Sequence, residues 1–322
     1  MLQYLIIQLD DTSVSYCHYN NHKVEHKLIS LEDLKAGILY AMKENLMVQM
    51  VYPDYQLPEE YEEEINTIDH IKIKPLSQFN EANIVVVDKW KNITSIKVDK
   101  SVIYVLRTDK TALFANYKEL LPLFDEVSRL NMVITDVETF TDVDIATYKS
   151  ILGELAVKIK QCYIAGHAVQ FNLLTDRMML DKMNNCNAGW ESVTLAPDGR
   201  FYVCPAFYLA GDDENFGLGA TKYSVGDLEN GLEIKNPQLY HLDHAPLCRK
   251  CDAYQCKRCV WLNRKMTYEV NTPSHEQCVV ADIERNASRE LLADIRTNGQ
   301  FLPNKKIPEI DYLDPFEKKE KL

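Results

Sequence analysis

The chain has 322 residues, 46 % of them apolar, which is enough for one large globular domain or two ordinary ones. Its net charge of −12 and pI near 5.2 argue against nucleic acid or an anionic membrane surface as partners. No apolar run reaches the length of a membrane span, and Met1 to Leu9 lacks the basic start and long apolar stretch of a signal peptide, so the expectation is a soluble cytoplasmic protein with reduced thiols.

In chain order, Leu2 to Leu9 reads as a strand, Asp10 to Thr12 as a turn, and Ser13 to His18 as a returning strand. Ser30, with Asp33 three residues on, caps a helix over Leu31 to Asn45. Met47 to Tyr52 is a strand, and Pro58 opens a short acidic helix through Glu64. Asn83 to Asp88 and Ser101 to Arg107 are β-branched runs of the kind found in buried strands. Leu121 to Leu130 reads as a helix with Pro122 in its first turn, and Met132 to Asp136 as a strand. Asp142 to Gln161 is a helix with an apolar stripe through Ile145, Tyr148, Ile151, Leu152 and Leu155. Strands alternating with helices predict an α/β arrangement with a mostly parallel sheet.

Further on, Val193 to Ala196 and Phe201 to Val203 flank the Pro197–Gly199 turn, a hairpin signature that would bring Cys186 and Cys204 near each other. Phe216 to Ser224 reads as a loop and Val225 to Leu228 as a turn before a helix. Helices are expected from Trp261 to Thr267 and from Asp282 to Asn298, then a charged, extended and partly disordered tail from Phe301. This divides the chain into an α/β domain over 1–180, a cysteine-rich domain over 181–285, and a C-terminal helix with a tail over 286–322.

Seven of the nine cysteines fall between Cys186 and Cys278. Cys186 is followed by twelve residues, Gly199, four residues and Cys204; then come Cys248, Cys251, Cys256 and Cys259, spaced by two, four and two residues, and finally Cys278. Two-residue gaps let a pair of thiolates turn onto one metal centre. Iron–sulfur clusters lead this reading because the block is as dense as the cysteine runs of ferredoxins. Zinc is the alternative, since its sites also use such pairs, although zinc ribbons set their pairs further apart. Disulfides would need an oxidising compartment, and inert buried thiols would leave the spacing unexplained.

The order Cys-x12-Gly-x4-Cys, Cys-x2-Cys-x4-Cys-x2-Cys, Cys resembles the SPASM domain of radical-SAM peptide-modifying enzymes, whose usual middle gaps are five and three. NCNAGWESVTLAPDGRFYVCPAFY, Asn185 to Tyr208, is similar to the start of that domain. LTDRMMLDKMNNCNAG and CDAYQCKRCVWLN most resemble the CXXX-repeat peptide maturases, SPASM proteins linked to short precursors with repeating cysteines. The resemblance implies two [4Fe–4S] clusters, one held by Cys186, Cys204 and Cys259 and the other by Cys248, Cys251, Cys256 and Cys278. It also implies a divergent partial radical-SAM-like barrel ahead of the cluster domain. Its implied partners are a cysteine-rich precursor peptide and a partner modification protein. Around the cysteine block, Arg249, Lys250, Lys257, Arg258, Arg264 and Lys265 fit cations beside an anionic cluster, or else a solvated basic loop.

A radical-SAM barrel needs Cys-x3-Cys-x2-Cys or a close variant, yet the first 160 residues contain only Cys17. Only Gly37 and Gly153 precede Gly166, so no glycine-rich loop is available to bring backbone amides to an anionic ligand. SAM is therefore not an expected cofactor, and no catalytic residue is assigned. Cys17 and Cys162 read as small buried hydrophobes. Asp88 and Asp136 end apolar strands and read as helix caps or solvated groups, and His241 and His244 as loop residues rather than ligands. Three cysteines for the first cluster leave one iron open, or capped by water, Cys162 or a histidine. An enzyme that matures a cysteine-rich peptide thus competes with a non-catalytic module that recognises the peptide for a partner.

Overall fold

A computed structural model describes residues 2–88, 90, 93, 97–209 and 220–307. Seven strands form the first part of one sheet in sequential order: β1 (Tyr4–Gln8), β2 (Met47–Val51), β3 (His70–Pro75), β4 (Ile84–Val87), β5 (Ile103–Thr108), β6 (Arg129–Ile134) and β7 (Gln170–Phe171). Every neighbouring pair among them is parallel. Strand order that follows chain order is the winding of a (β/α) barrel rather than of a doubly wound sheet, and it gathers the loops after each strand on one face. On the other side of β1 lies β8 (Ser192–Leu195), parallel to it, followed by an antiparallel meander of β9 (Arg200–Tyr202), β10 (Ser224–Asp227) and β11 (Gly231–Leu232). The expected α/β class with a mostly parallel sheet is thus observed, in eleven strands among the described residues.

Local chemistry explains the elements. Helix α1 (Leu31–Glu44) starts where Ser30 accepts the Asp33 amide at 3.0 Å, and it ends at Asn45 in the left-handed conformation. Leu34, Ile38 and Ala41 face Leu5 and Ile7, the two side chains that β1 directs to that side. Ile6 points the other way and joins Val51, Ile73, Val86, Val105 and Val133 in a patch along the inner face of the strands. Helix α2 (Glu59–Ile65) follows Pro58. Helix α5 (Asp142–Ile164) opens with a capping box between Thr141 and Asp144 and buries the expected stripe at Tyr148, Ile151, Leu152 and Leu155.

Several expectations need correction. Ser13 to His18 forms no strand: Val14 and Tyr16 pack on the inner patch of the sheet, so their apolar alternation serves burial without a ladder. Leu121 to Leu130 is not one helix; α4 covers Leu120–Leu123, and Arg129 already belongs to β6. Val225 to Leu228 is mostly strand β10 rather than a turn. The last helix begins earlier than expected, because Ser274 caps it: α9 spans His275–Thr297. Helices α3 (Lys110–Asn116), capped by Asp109, and α6 (Asn172–Met179) are additional to those expected. Residues 216–219 and the tail from 308 lie outside the described residues.

Helix α9 packs along α5, where the Tyr148 hydroxyl donates to Glu284 at 2.7 Å. It is fixed to the cysteine block by a buried charge network: Asp252, 2 % exposed, accepts from Arg285 at 3.0 Å and from Arg177 at 3.3 Å. Helices α7 (Pro205–Leu209) and α8 (Val260–Thr267) follow Cys204 and Cys259 directly.

Candidate metal centre

Four of the patterned thiols line one cavity. Cys248, Cys251, Cys256 and Cys278 all line a single cavity of about 680 Å³ between the cysteine block and the first turns of α9. Short turns shape the block: the Cys248 amide bonds Ala245 O, the Cys251 amide bonds Cys248 O, and the Cys256 amide bonds Ala253 O, at 2.9 to 3.0 Å. Backbone amides also turn onto sulfur, from Ala253 to Cys251 Sγ and from Arg258 to Cys256 Sγ, each at 3.4 Å. Such donors stabilise thiolate-ligated clusters. Burial pushes the Cys248 thiol up to about 12, with Cys278 and Cys251 adding and Arg258 opposing. Burial also raises Cys256, and the nearby Cys251 and Cys248 add to it.

A second group forms around the β8–β9 hairpin. Its turn depends on Gly199, at φ +76°, which lets Arg200 return to pair and sends Cys204 to the end of β9. Cys204 is raised well above the ordinary thiol range by burial first, then by Cys186, Cys259 and Cys17, with the Ala206 amide opposing. Cys259 is raised by burial, then by Cys186 and Cys17, against the amides of Leu262 and Trp261. The neighbour that sequence spacing did not supply is Cys17. Burial moves it up to about 11, with Lys257 opposing and Cys186 adding.

Arg258 lies between the two groups. Its guanidinium is 1 % exposed, donating through Nε to Asn185 Oδ1 at 2.6 Å and through Nη2 to Tyr240 O at 2.7 Å. Nη1 has no hydrogen-bond partner. Burial lowers its pKa, and Cys248, Cys186 and Cys256 act against that. A buried cation without a carboxylate is costly unless anionic charge stands nearby. Thiolate-ligated iron–sulfur clusters on both sides would supply that charge, so the donor set and this orphaned group fit such clusters. Among the described residues, no three His, Cys, Asp or Glu side chains converge closely enough to hold a single ion. Neither a tetrahedral zinc site nor a cluster site is therefore preformed among these side chains.

The remaining sequence candidates fall elsewhere. Cys162 Sγ donates to Phe124 O at 3.7 Å and to Asp125 Oδ1 at 3.5 Å, at the end of α5. His241 packs tilted against Trp190 with ring centres 4.8 Å apart, and His244 is exposed. Asp136 accepts the Lys110 amide at 2.9 Å at the start of α3, and Asp88 pairs with Arg107. Of the basic residues, Lys265 pairs with Glu138 at 2.9 Å, while Arg249 and Lys250 are exposed. Arg107 carried no sequence signal; it is 4 % exposed and holds the loop after β1 through the carbonyls of Cys17, at 2.9 Å, and Tyr19, at 2.5 Å.

No protein-family model and no curated protein matches the chain. Solved structures do match in fold. Hexahistidine-tagged anSMEcpe with bound AdoMet aligns with a TM-score of 0.63 at 12 % identity, over 92 % of this chain and 100 % of that one. Native anSMEcpe with bound AdoMet and the Cp18Cys peptide aligns with a TM-score of 0.59 at 12 % identity, over 91 % and 99 %. Its complex with AdoMet and the Kp18Cys peptide gives 0.58 at 13 %. At this identity the likeness establishes the fold: the chain has the architecture of the AdoMet-binding protein anSMEcpe along nearly its whole length.

Proposed function

We propose that the chain is an iron–sulfur protein of the SPASM type that takes part in maturing a ribosomally made, cysteine-rich CXXX-repeat peptide, recognising the peptide for a partner enzyme rather than starting SAM radical chemistry itself. The observation that carries this reading is the cavity lined by Cys248, Cys251, Cys256 and Cys278. The shared fold supports it, since anSMEcpe is known with AdoMet and with peptides bound. Cys17 stands alone in the first 160 residues, and Val14 and Tyr16 of its loop cover the inner face of the sheet. That arrangement favours a recognition role over SAM cleavage.

In this reading Cys248, Cys251, Cys256 and Cys278 hold one cluster, and Cys186, Cys204 and Cys259 contribute to another. A bound cluster would supply one-electron redox capacity and local negative charge. The chain's own contribution is to bring the thiols together, to aim backbone amides at sulfur, and to balance the charge with the buried Arg258. The cysteine block remains basic at its surface through Arg249 and Lys250, which suits an anionic peptide thiolate.

The test uses the anaerobically purified, reduced protein. It should bind a synthetic CXXX-repeat peptide more tightly than the same peptide with serine for cysteine, and it should release no 5′-deoxyadenosine from AdoMet. Release of 5′-deoxyadenosine, abolished by Cys17→Ala, would overturn the recognition role. Equal binding of the two peptides would remove the substrate class.

A further inference from the structure

We propose that Cys17 is the fourth protein ligand of the cluster attributed to Cys186, Cys204 and Cys259, so that the loop after β1 is tied through metal to the cysteine-rich part of the chain. This rests on the cluster reading above and adds a ligand that the reading lacks. Sequence spacing left that cluster with an open iron; the fold brings the loop that carries Cys17 against the cysteine block.

The placement follows from the loop's anchors. Ser13 Oγ donates to Val51 O at 2.9 Å and the Val14 amide to Tyr52 O at 3.1 Å, which lays the segment across the C-terminal end of β2. Val14 and Tyr16 then press onto the inner sheet face, and Arg107, at the end of β5, takes the carbonyls of Cys17 and Tyr19. Cys17 packs against the same apolar cluster as Cys186 and Cys204, and Cys259 is a buried member of it. The next residue, His18, lines one cavity with Cys256, Lys257, Arg258 and Cys259, so the loop and the cysteine block face each other directly.

Two buried donors point to an absent acceptor in this region. The Tyr19 hydroxyl, on a residue 2 % exposed, has no hydrogen-bond partner and lies near Cys17 and Cys204. Arg258 Nη1 is likewise unpartnered, near Cys186. Sulfide and thiolate sulfur of a cluster would accept from both. Of the alternatives named for the fourth position, Cys162 is committed to Phe124 and Asp125 and His241 packs against Trp190, which leaves His18, beside Cys259 in the neighbouring cavity, as the competitor of Cys17. Ligation is simple in balance: the Cys17 thiol gives up its proton to solvent and its sulfur forms the fourth thiolate–iron bond. With that shell complete, no iron is left open for a substrate thiol, and the cluster is a redox or structural group rather than a Lewis acid.

The experiment compares iron, acid-labile sulfide and the EPR spectrum of anaerobically reconstituted wild type with Cys17→Ala, Cys204→Ala, the double variant and Cys162→Ala. Wild type should carry about eight irons; Cys17→Ala and Cys204→Ala should each lose roughly half, the double variant no more than either, and Cys162→Ala none. Cys17→Asp, which can still ligate, should regain iron with a changed spectrum. Because Cys17→Ala could fail to fold, iodoacetamide labelling of wild type gives an independent answer: Cys17 should be alkylated in the stripped chain and protected in the loaded one. Full iron and an unchanged spectrum in Cys17→Ala, or equal labelling in both states, would overturn the proposal while leaving the clusters standing. A wild type without iron and sulfide would instead bring down the cluster reading itself, and this proposal with it.

Discussion

The Arg107 guanidinium reaches from the end of β5 to the carbonyl of Cys17, donating through Nε at 2.9 Å. Nη2 holds the next turn at the carbonyl of Tyr19, and Nη1 pairs with Asp88. A planar fork with donors in fixed directions fits this task better than a point charge. Arg107→Ala should therefore cost about 2 kcal/mol of stability and speed hydrogen exchange at residues 17–20, and Arg107→Lys should restore little of either. Urea denaturation with exchange mass spectrometry checks both; unaltered exchange in the loop would show that Arg107 does not position it.

Asp252 stands between Arg177 and Arg285, all three nearly out of solvent. Removing one member of such a network strands charge in a low-dielectric interior. Asp252→Asn should lower stability by about 3–5 kcal/mol and loosen the cysteine block from α9, seen as faster labelling of Cys248 and Cys256 in the metal-free chain. A change of stability below about 1 kcal/mol, the scale of an ordinary hydrogen bond, would mean the network is dispensable.

Gly199 turns the β8–β9 hairpin at φ +76°, and a Cβ there would stand 3.2 Å from Asp33 of α1. Gly199→Ala should cost about 1–2 kcal/mol from the left-handed backbone, with the Asp33 side chain shifting to make room. Denaturant unfolding measures the loss; a neutral result would argue against this turn geometry.

Parts of this arrangement can be read without coordinates. Ser30 and Thr141 announce their helices because caps act locally, and Pro197 to Gly199 announces its hairpin for the same reason. The intervals from Cys248 to Cys256 mark three of the four thiols that line the cavity. Cys17 is different: its thiol neighbours lie far along the chain, so no interval links them, and only the non-sequential parallel pairing of β8 with β1 brings the two regions together. Val14 and Tyr16 alternate as a strand would, yet the period reports one buried face and not a place in a ladder. Strand β3 is hard to see in the sequence because Lys72, Lys74 and Pro75 mask its alternation; Ile71 and Ile73 supply the apolar side.

A pH effect follows from Asp11, which is 7 % exposed and accepts from the Tyr208 hydroxyl at 2.5 Å. Burial raises its pKa, against the opposing pull of Tyr208, Lys23 and Lys27. A carboxyl whose folded pKa exceeds its unfolded value favours the fold in its protonated form, so its contribution is full below the unfolded pKa and is lost as pH rises through the folded one. Asp11→Asn keeps an acceptor for Tyr208 without the charge. Wild type should therefore lose stability relative to Asp11→Asn as pH is raised from about 4 towards 7, measured as urea midpoints. Parallel pH profiles would refute this role for Asp11.

The central claim is that two sets of four thiols, Cys17 with Cys186, Cys204 and Cys259, and Cys248 with Cys251, Cys256 and Cys278, are built for iron–sulfur clusters. The most direct measurement is Mössbauer spectroscopy of protein reconstituted anaerobically with iron-57, with iron, sulfide and zinc counted on the same sample. The account predicts about eight irons per chain with matching sulfide, as two [4Fe–4S] clusters, and no iron site with non-thiolate ligation. Stoichiometric zinc without sulfide, taken up in preference to iron, would contradict it.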